Sequence, residues 1–338
     1  MTLSYGNRIR YYRFQQGALA VATVGYTNVI DDHGAAGDGA TDDSAAFAAA
    51  NATGKVIYVP GNRTYNLGAN TFNFSAPGMF GDGSGSSILA WTGLTSTEVA
   101  MRIDPTTSPF LQNIKLKSTD GNGIGIGDSG ASALDFKMFD VALDGFNYGF
   151  WCDDLENAIF VQCQFINNTT GAFTDPTAEW LQVNFLGCQF QSNTTGVELG
   201  GVCDNVLFDN CSFGLNTNGF VITANTQLRR GVHHRNNAYV ANTTADFVVN
   251  GAYHLSLIEG CKFFSNSPTN GLNVSPSSGG ASDVVVRMCD FKGTYSTDVL
   301  LGANTTTCEV DRNAGGVTSD VTDSISVTDN GQNNVVNY

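Results

Sequence analysis

Cys163-Gln164-Phe165-Ile166-Asn167-Asn168-Thr169-Thr170-Gly171 returns as Cys188-Gln189-Phe190-Gln191-Ser192-Asn193-Thr194-Thr195-Gly196, and again as Cys211-Ser212-Phe213-Gly214-Leu215-Asn216-Thr217-Asn218-Gly219. Shorter echoes are Cys261-Lys262-Phe263 and Cys289-Asp290-Phe291. Asn237-Ala238-Tyr239 fills the slot between Cys211 and Cys261, and Phe139-Asp140-Val141 fills it one repeat before Cys163. From 139 to 289 there are six steps over 150 residues, a mean period of 25. A period of this size means one supersecondary unit stacked on copies of itself.

Each repeat has an internal order. The cysteine slot and the residue two after it are apolar, while the residue between is polar: Asp140, Gln164, Gln189, Ser212, Lys262 and Asp290. That alternation is a strand with one buried face. Five residues after the slot stand Asp144, Asn168, Asn193, Asn216, Asn242 and Asn266, residues that accept tight-turn backbone. Three before the slot runs a second apolar column, Phe136, Phe160, Phe185, Phe208, His234, Ile258 and Val286. Five before it runs a third, Leu134, Ala158, Val183, Val206, Val232 and Val284. These define a second short strand, joined to the first at a two-residue corner. Equivalent residues then stack at about 4.8 Å. The expected fold is all-β, a single-stranded parallel β-helix of about 25 residues per coil, in one continuous solenoid.

Composition narrows the function. Of 338 residues only 14% are charged, with a net charge of −15. That balance disfavours nucleic acid and anionic bilayer surfaces as partners. No run approaches the roughly 20 apolar residues of a membrane span. Residues 18–24 follow three arginines and faintly resemble a signal peptide, but the stretch is short and late. Stacked cysteines point in parallel at the coil spacing, too far apart for a disulfide. Free buried thiols are therefore expected for the eight cysteines, with Cys308 closing the column less regularly. Folding in a reducing cytoplasm follows. The triplets of the form Asn193-Thr194-Thr195 fall in the turn slot and are read as turn chemistry. His33, His233, His234 and His254 show no zinc spacing, so neither a metal nor a cofactor is expected; Ca²⁺ on Asp153 and Asp154 is an unspecific alternative.

The ends differ from the centre. Residues 1–27 lack the repeat and carry Arg8, Arg10 and Arg13 among Tyr5, Tyr11, Tyr12 and Phe14. They read either as a disordered or swapped arm or as a docking segment, since interfaces favour Arg and aromatics. Residues 28–310 are the solenoid. An Ala-rich helix after Thr41, its expected N-cap, with Asp42 and Asp43 at the positive end, would cover the open end of the stack. Residues 311–338 are polar apart from Ile325-Ser326-Val327, and suit a short element pairing with neighbouring chains.

Gly34-Ala35-Ala36-Gly37-Asp38-Gly39-Ala40-Thr41-Asp42-Asp43, then a short helix, then Val56-Ile57-Tyr58-Val59-Pro60 and Tyr65, resembles the opening of the pectate-lyase-like superfamily of right-handed parallel β-helices. The pattern is frequent in bacteriophage tailspikes, and the match covers residues 28–95 by motif. The resemblance implies a homotrimer made in the host cytoplasm and located in the virion tail. It implies docking to a tail or adaptor protein through the N-terminal arm, and recognition of host surface polysaccharide such as O-antigen or capsule. The superfamily holds lyases, hydrolases and binding-only members, so fold alone does not choose among them. The glycine-rich stretch lacks the Gly-Lys-Ser/Thr ending of a phosphate loop.

Placing charges in register separates two groups. Two before the slot lie Asp209, Arg235, Glu259 and Arg287, which read as a surface ion-pair ladder. Seven to ten before it lie Asp153, Asp154 and Glu156, then Glu179 and Trp180, Asp204, Arg229 and Arg230, Tyr253 and His254, and Asp283. His233 adjoins them by strand parity, while His234 falls in an inward slot. Carboxylates, Arg, His and aromatic faces at this density suit a sugar-binding groove. Glycoside hydrolysis needs two carboxyl groups about 5–5.5 Å apart for retention or about 6.5–9.5 Å for inversion. Glu179 with Asp204 gives one coil of separation, about 5 Å, and Glu156 with Asp204 gives two, about 9–10 Å. Trp180, Arg229, Arg230, His233, Tyr253 and His254 would then hold the substrate. A lyase would instead use Arg230 or His254 as base. The competing readings are binding without cleavage, and a structural or adhesive solenoid whose loops are merely solvated.

Overall fold

The structure is a computed structural model, and it describes residues 25–104, 108–128, 133–224, 229–265, 270–277, 280–293, 295–311, 314–315, 327–331 and 333–337. The arm at 1–24, including the stretch 18–24, lies outside the described residues, as do Asn266 and residues 316–326.

The chain forms a parallel β-solenoid with three sheets of 19, 12 and 11 strands, called A, B and C here. The coil around Cys163 shows the plan. Asp154–Glu156 and Ile159–Val161 lie in sheet A, Gln164–Ile166 in sheet B and Thr170–Thr174 in sheet C. Each strand pairs in parallel with its equivalents one coil away, for example Phe165 with Phe190 and Phe190 with Phe213. The corner before every cysteine slot is a single residue in left-handed backbone: Gln162, Gly187, Asn210, Asn236, Gly260 and Met288. A second left-handed column, Asn157, Gln182, Asn205, Gly231, Leu255 and Asp283, kinks sheet A between its two short strands. Asn and Gly adopt this conformation readily; Leu255 and Met288 do not, and are held there by the coils on either side.

The core is made of columns. Phe165, Phe190, Phe213, Tyr239, Phe263 and Phe291 stack with centroids 4.5–5.0 Å apart and planes within 8°. Phe160, Phe185, Phe208 and His234 form a second stack at 4.5–5.0 Å. All eight cysteines are free and buried. The turn asparagines are buried too, and form a ladder. Asn168, Asn193 and Asn216 each donate one Nδ2 hydrogen to a backbone carbonyl of the coil before and one to the Oδ1 of the next asparagine. Asn242 ends the series by donating to Asp246 Oδ1 at 2.7 Å. Asp246 also accepts from Ser265 and Tyr295, yet burial still pushes its carboxyl pKa upward.

Four details differ from the sequence reading. Val141, not Phe139, occupies the first slot, because Ala142 pairs with Gln164 and Phe139 with Val161. The repeat before Cys163 is thus shorter than the mean, which is what hid the true alignment. Cys308 lies in the column of Val284 rather than that of Cys289, since Glu309 pairs with Val285. The helix, Ser44–Asn51, has Asp43 rather than Thr41 at its N-cap position, with no side-chain capping bond. Asp43 folds back to accept the amides of Ala36 and Gly37, and Thr41 binds Asp38 instead. Finally, Val327–Asp329 and Val335–Asn337 pair in parallel with Thr297–Leu301 and Glu309–Asp311 of the same chain, so the stacking continues beyond 310. The helix buries Phe47 and Ala50 against the first coils, as a solenoid end requires.

Candidate functional site

One outward column of sheet A carries most of the anticipated chemistry. Glu156, Leu181, Asp204, Arg230, His254 and Ser282 follow one another in register on successive coils. Asp204 Oδ2 accepts from Arg230 Nε at 3.0 Å and Nη2 at 2.8 Å. Both side chains are more than a third exposed, so the pair adds little stability. Its exposure makes it available to a ligand instead. Asp204 in turn raises the Arg230 pKa. His254 Nδ1 lies 2.9 Å from Ser282 Oγ.

His233 stands beside this column, half-buried. Its Nδ1 accepts the Leu257 amide at 3.1 Å, which leaves the hydrogen on Nε2. Burial, then Arg235, lowers its pKa, so the ring is neutral at pH 7 and donates from Nε2. His234 is fully buried, as its inward slot implied. In the neighbouring ladder Asp209, Arg235, Glu259 and Arg287 do occupy successive coils, and Glu259 bonds Arg287 at 2.8 Å.

Three expectations for the strip need correction. Trp180 and Tyr253 are fully buried and cannot stack on a sugar. Trp180 is one residue off the outward position, in the inward column of Leu155 and Cys203. Its Nε1 donates to Cys152 O at 3.1 Å, and Tyr253 OH donates to Val232 O at 3.0 Å. A carbonyl of the preceding coil thus satisfies each polar tip, which lets the ring be buried. Glu179 pairs with Val202, two residues short of Asp204. Its separation from Asp204 is therefore about 8 Å along the diagonal rather than one coil. Glu156 and Asp204 keep their two-coil relation. Arg229 lies in register with Cys203, and its side chain is outside what is described.

Two concavities of about 320 Å³ lie in the first coils, one beside Ser44, Asn51 and Thr71 and one beside Asp38, Arg63 and Ser86. Neither includes a residue of the strip. Among the described residues no three His, Cys, Asp or Glu side chains converge as metal ligands. No helix among them is long and apolar enough to cross a membrane.

Residues that sequence reasoning missed lie on sheet C, where Tyr148, Trp151, Phe173 and Glu198 face outward. Trp151, Phe173 and Glu198 are in register on three consecutive coils. The signal was present: each stands two residues after Gly149, Gly171 or Gly196, a glycine column that marks sheet C. The chain reaches sheet A directly from this patch, since Trp151 Nε1 donates to Asp153 Oδ1 and the Asp153 carbonyl accepts from Glu179.

No family model matches the chain, and no curated protein sequence matches it. Solved structures do. The Dettilon tailspike protein (gp208) aligns with a TM-score of 0.67 at 12% identity, over 92% of this chain and 68% of that one. ORF18 of Geobacillus virus E2 aligns with a TM-score of 0.53 at 15% identity, over 100% of this chain and 64% of that one. The A-module of the Azotobacter vinelandii mannuronan C-5 epimerase AlgE6 aligns with a TM-score of 0.53 at 14% identity, over 93% and 99%. The chain thus spans less than two thirds of the Geobacillus virus protein. The resemblance to the parallel β-helix of phage tailspikes, read from the opening motif, holds at the level of fold.

Proposed function

We propose that this chain is a phage tail protein that binds bacterial surface polysaccharide along the outward strip of sheet A. The observation that carries the reading is the register of Glu156, Asp204, Arg230 and His254 on one exposed face, beside a neutral His233. Carboxylate, guanidinium and imidazole at coil spacing offer acceptors and donors to the hydroxyls of an extended polymer. The likeness to a tailspike and to an enzyme that acts on mannuronan supports the same direction. Within this reading the polymer is O-antigen or capsule, the N-terminal arm docks to the virion tail or its adaptor, and the chain works as a homotrimer.

Cleavage is a second reading, favoured by the two-coil separation of Glu156 and Asp204, near the upper end of the inverting range. Its use of Asp204 would first require that the Arg230 pair open.

Arg230→Glu sets a like charge against Asp204 and is expected to weaken retention on immobilised O-antigen or capsule by about tenfold or more. The melting temperature should stay close to wild type, because the pair is exposed. Unchanged retention would refute the strip. Size-exclusion chromatography of the same polymers after incubation tests cleavage. An unchanged polymer size sinks it, and unsaturated products would mark a lyase rather than a hydrolase.

A further inference from the structure

Outward positions on the solenoid are mostly small or polar, such as Gln164, Gln189 and Ser212 on sheet B. Sheet C carries an aromatic cluster on its outward face. The rings of Tyr148, Trp151 and Phe173 meet with centroids 4.9, 4.9 and 5.2 Å apart. All three are half-buried rather than sealed in the core. The intervening Gly149-Phe150 turns Phe150 fully inward, which leaves Tyr148 and Trp151 on the same outer surface. Below Trp151 the register position is Gly127, which has no side chain, so the rings stand at the edge of a step. Such an outward aromatic cluster forgoes burial that the adjacent core could have supplied.

The polar surroundings are acidic. Glu198 follows Phe173 directly in the column, and Asp153 holds the Trp151 indole at 3.2 Å. Burial first, then the charges of Glu198 and Asp175, raise the Tyr148 pKa. Burial also pushes the Glu198 carboxyl pKa upward. In this column Arg102 lies two coils from Trp151, about 10 Å away.

The rings touch one another, so a ligand has no slot between them and meets only their outer faces. A pyranose fits that surface. Its C–H face packs on an aromatic ring, and its hydroxyls donate to carboxylate oxygens that accept but cannot donate. The charge decides the class. A uronate or phosphate would face Glu198 and Asp153 as like charges, whereas an ammonium would be drawn to both carboxylates and ring faces.

We propose that Tyr148, Trp151 and Phe173 form a sugar-stacking subsite, with Glu198 as its acceptor, for a pyranose that carries no acidic group. The subsite deepens the polysaccharide reading and rests on it for the kind of polymer. It stands on a different sheet from the Asp204–Arg230 strip, so the two can be tested apart.

The sequence has three tryptophans, and Trp91 and Trp180 are fully buried, so acrylamide quenching of the full chain reads Trp151. The probe is a panel of purified bacterial surface polysaccharides grouped as neutral, amino-bearing and uronate-bearing. Neutral or amino-bearing polymers should be retained and should shield Trp151 from acrylamide. Trp151→Ala and Phe173→Ala should each weaken retention about tenfold. Trp151→Phe, which keeps the packing, should lose less, and Glu198→Gln should weaken amino-bearing polymers most. Retention confined to uronate-bearing polymers, or unshielded Trp151 in a bound complex, overturns the subsite. Loss with Arg230→Glu but not Trp151→Ala leaves the strip and removes the subsite. Loss with Trp151→Ala but not Arg230→Glu does the reverse. No retained polymer removes both.

Discussion

Asn193→Ala is expected to destabilise the solenoid by about 3–5 kcal/mol, measured as a fall in the guanidinium midpoint. Asn193 sits in mid-ladder, almost fully buried, and its side chain takes part in four bonds. Its Nδ2 donates to Phe165 O at 2.9 Å and to Asn216 Oδ1 at 3.1 Å. Its Oδ1 accepts from the Asn168 amide at 2.9 Å and from Asn168 Nδ2 at 3.2 Å. Truncation strands a buried carbonyl and a buried N–H, each worth about 1–3 kcal/mol when left unpaired, and cuts the ladder in two. Asn193→Asp should also destabilise, because a carboxylate cannot donate to Phe165 O. A loss below about 1 kcal/mol for the alanine variant would mean that the ladder is not the element that fixes the turns.

Acidification is expected to weaken the protein between pH 6.5 and 5, with a slope of up to about 1.4 kcal/mol per pH unit from His234. The ring is fully buried, stacked 5.0 Å from Phe208, and its Nε2 has no partner. Burial holds its pKa well below the usual histidine value of 6.5. In that window the unfolded chain binds a proton that the folded chain refuses, so stability present above pH 6.5 is lost as pH falls. His233, lowered by burial and by Arg235, acts with the same sign. Asp246 acts oppositely. Its raised pKa lets the folded state take the proton first, so its contribution favours folding as pH falls toward 3.8. The double variant His234→Phe/Tyr239→Phe avoids orphaning the Tyr239 hydroxyl, which lies 2.8 Å from His234 Nδ1. Melting temperatures across pH 5–8 should show a flatter profile for it than for wild type. An unchanged profile would assign the acid sensitivity elsewhere.

Register explains what could be read early. A coil has one inward and one outward side, and the cysteine slot is a fixed mark on it. Counting from that mark correctly placed His234 inside, the Asp209–Arg287 ladder outside and Glu156 two coils from Asp204. The same count failed wherever repeat length varied. The short step before Cys163 shifts Phe139 by two residues. Glu179 is a separate case: it lies nine residues before its slot and Asp204 seven, so treating the two as one position sets it opposite Asp204 although it pairs with Val202. Trp180 and Tyr253 failed for another reason. A large ring next to charged residues looks exposed in sequence, yet single-residue parity turns it inward, where one carbonyl satisfies its polar tip.

The sequence by itself determined the solenoid, its coil height, its free thiols and its asparagine turns. Each of these repeats, and a repeated residue reports the same environment several times. Only the tertiary structure decided which face carries aromatic rings to solvent. Tyr148, Trp151, Phe173 and Glu198 occur once, on coils of unequal length. The glycine column sets Trp151, Phe173 and Glu198 in register, but that this column faces outward and meets the Tyr148 ring is set by packing across coils.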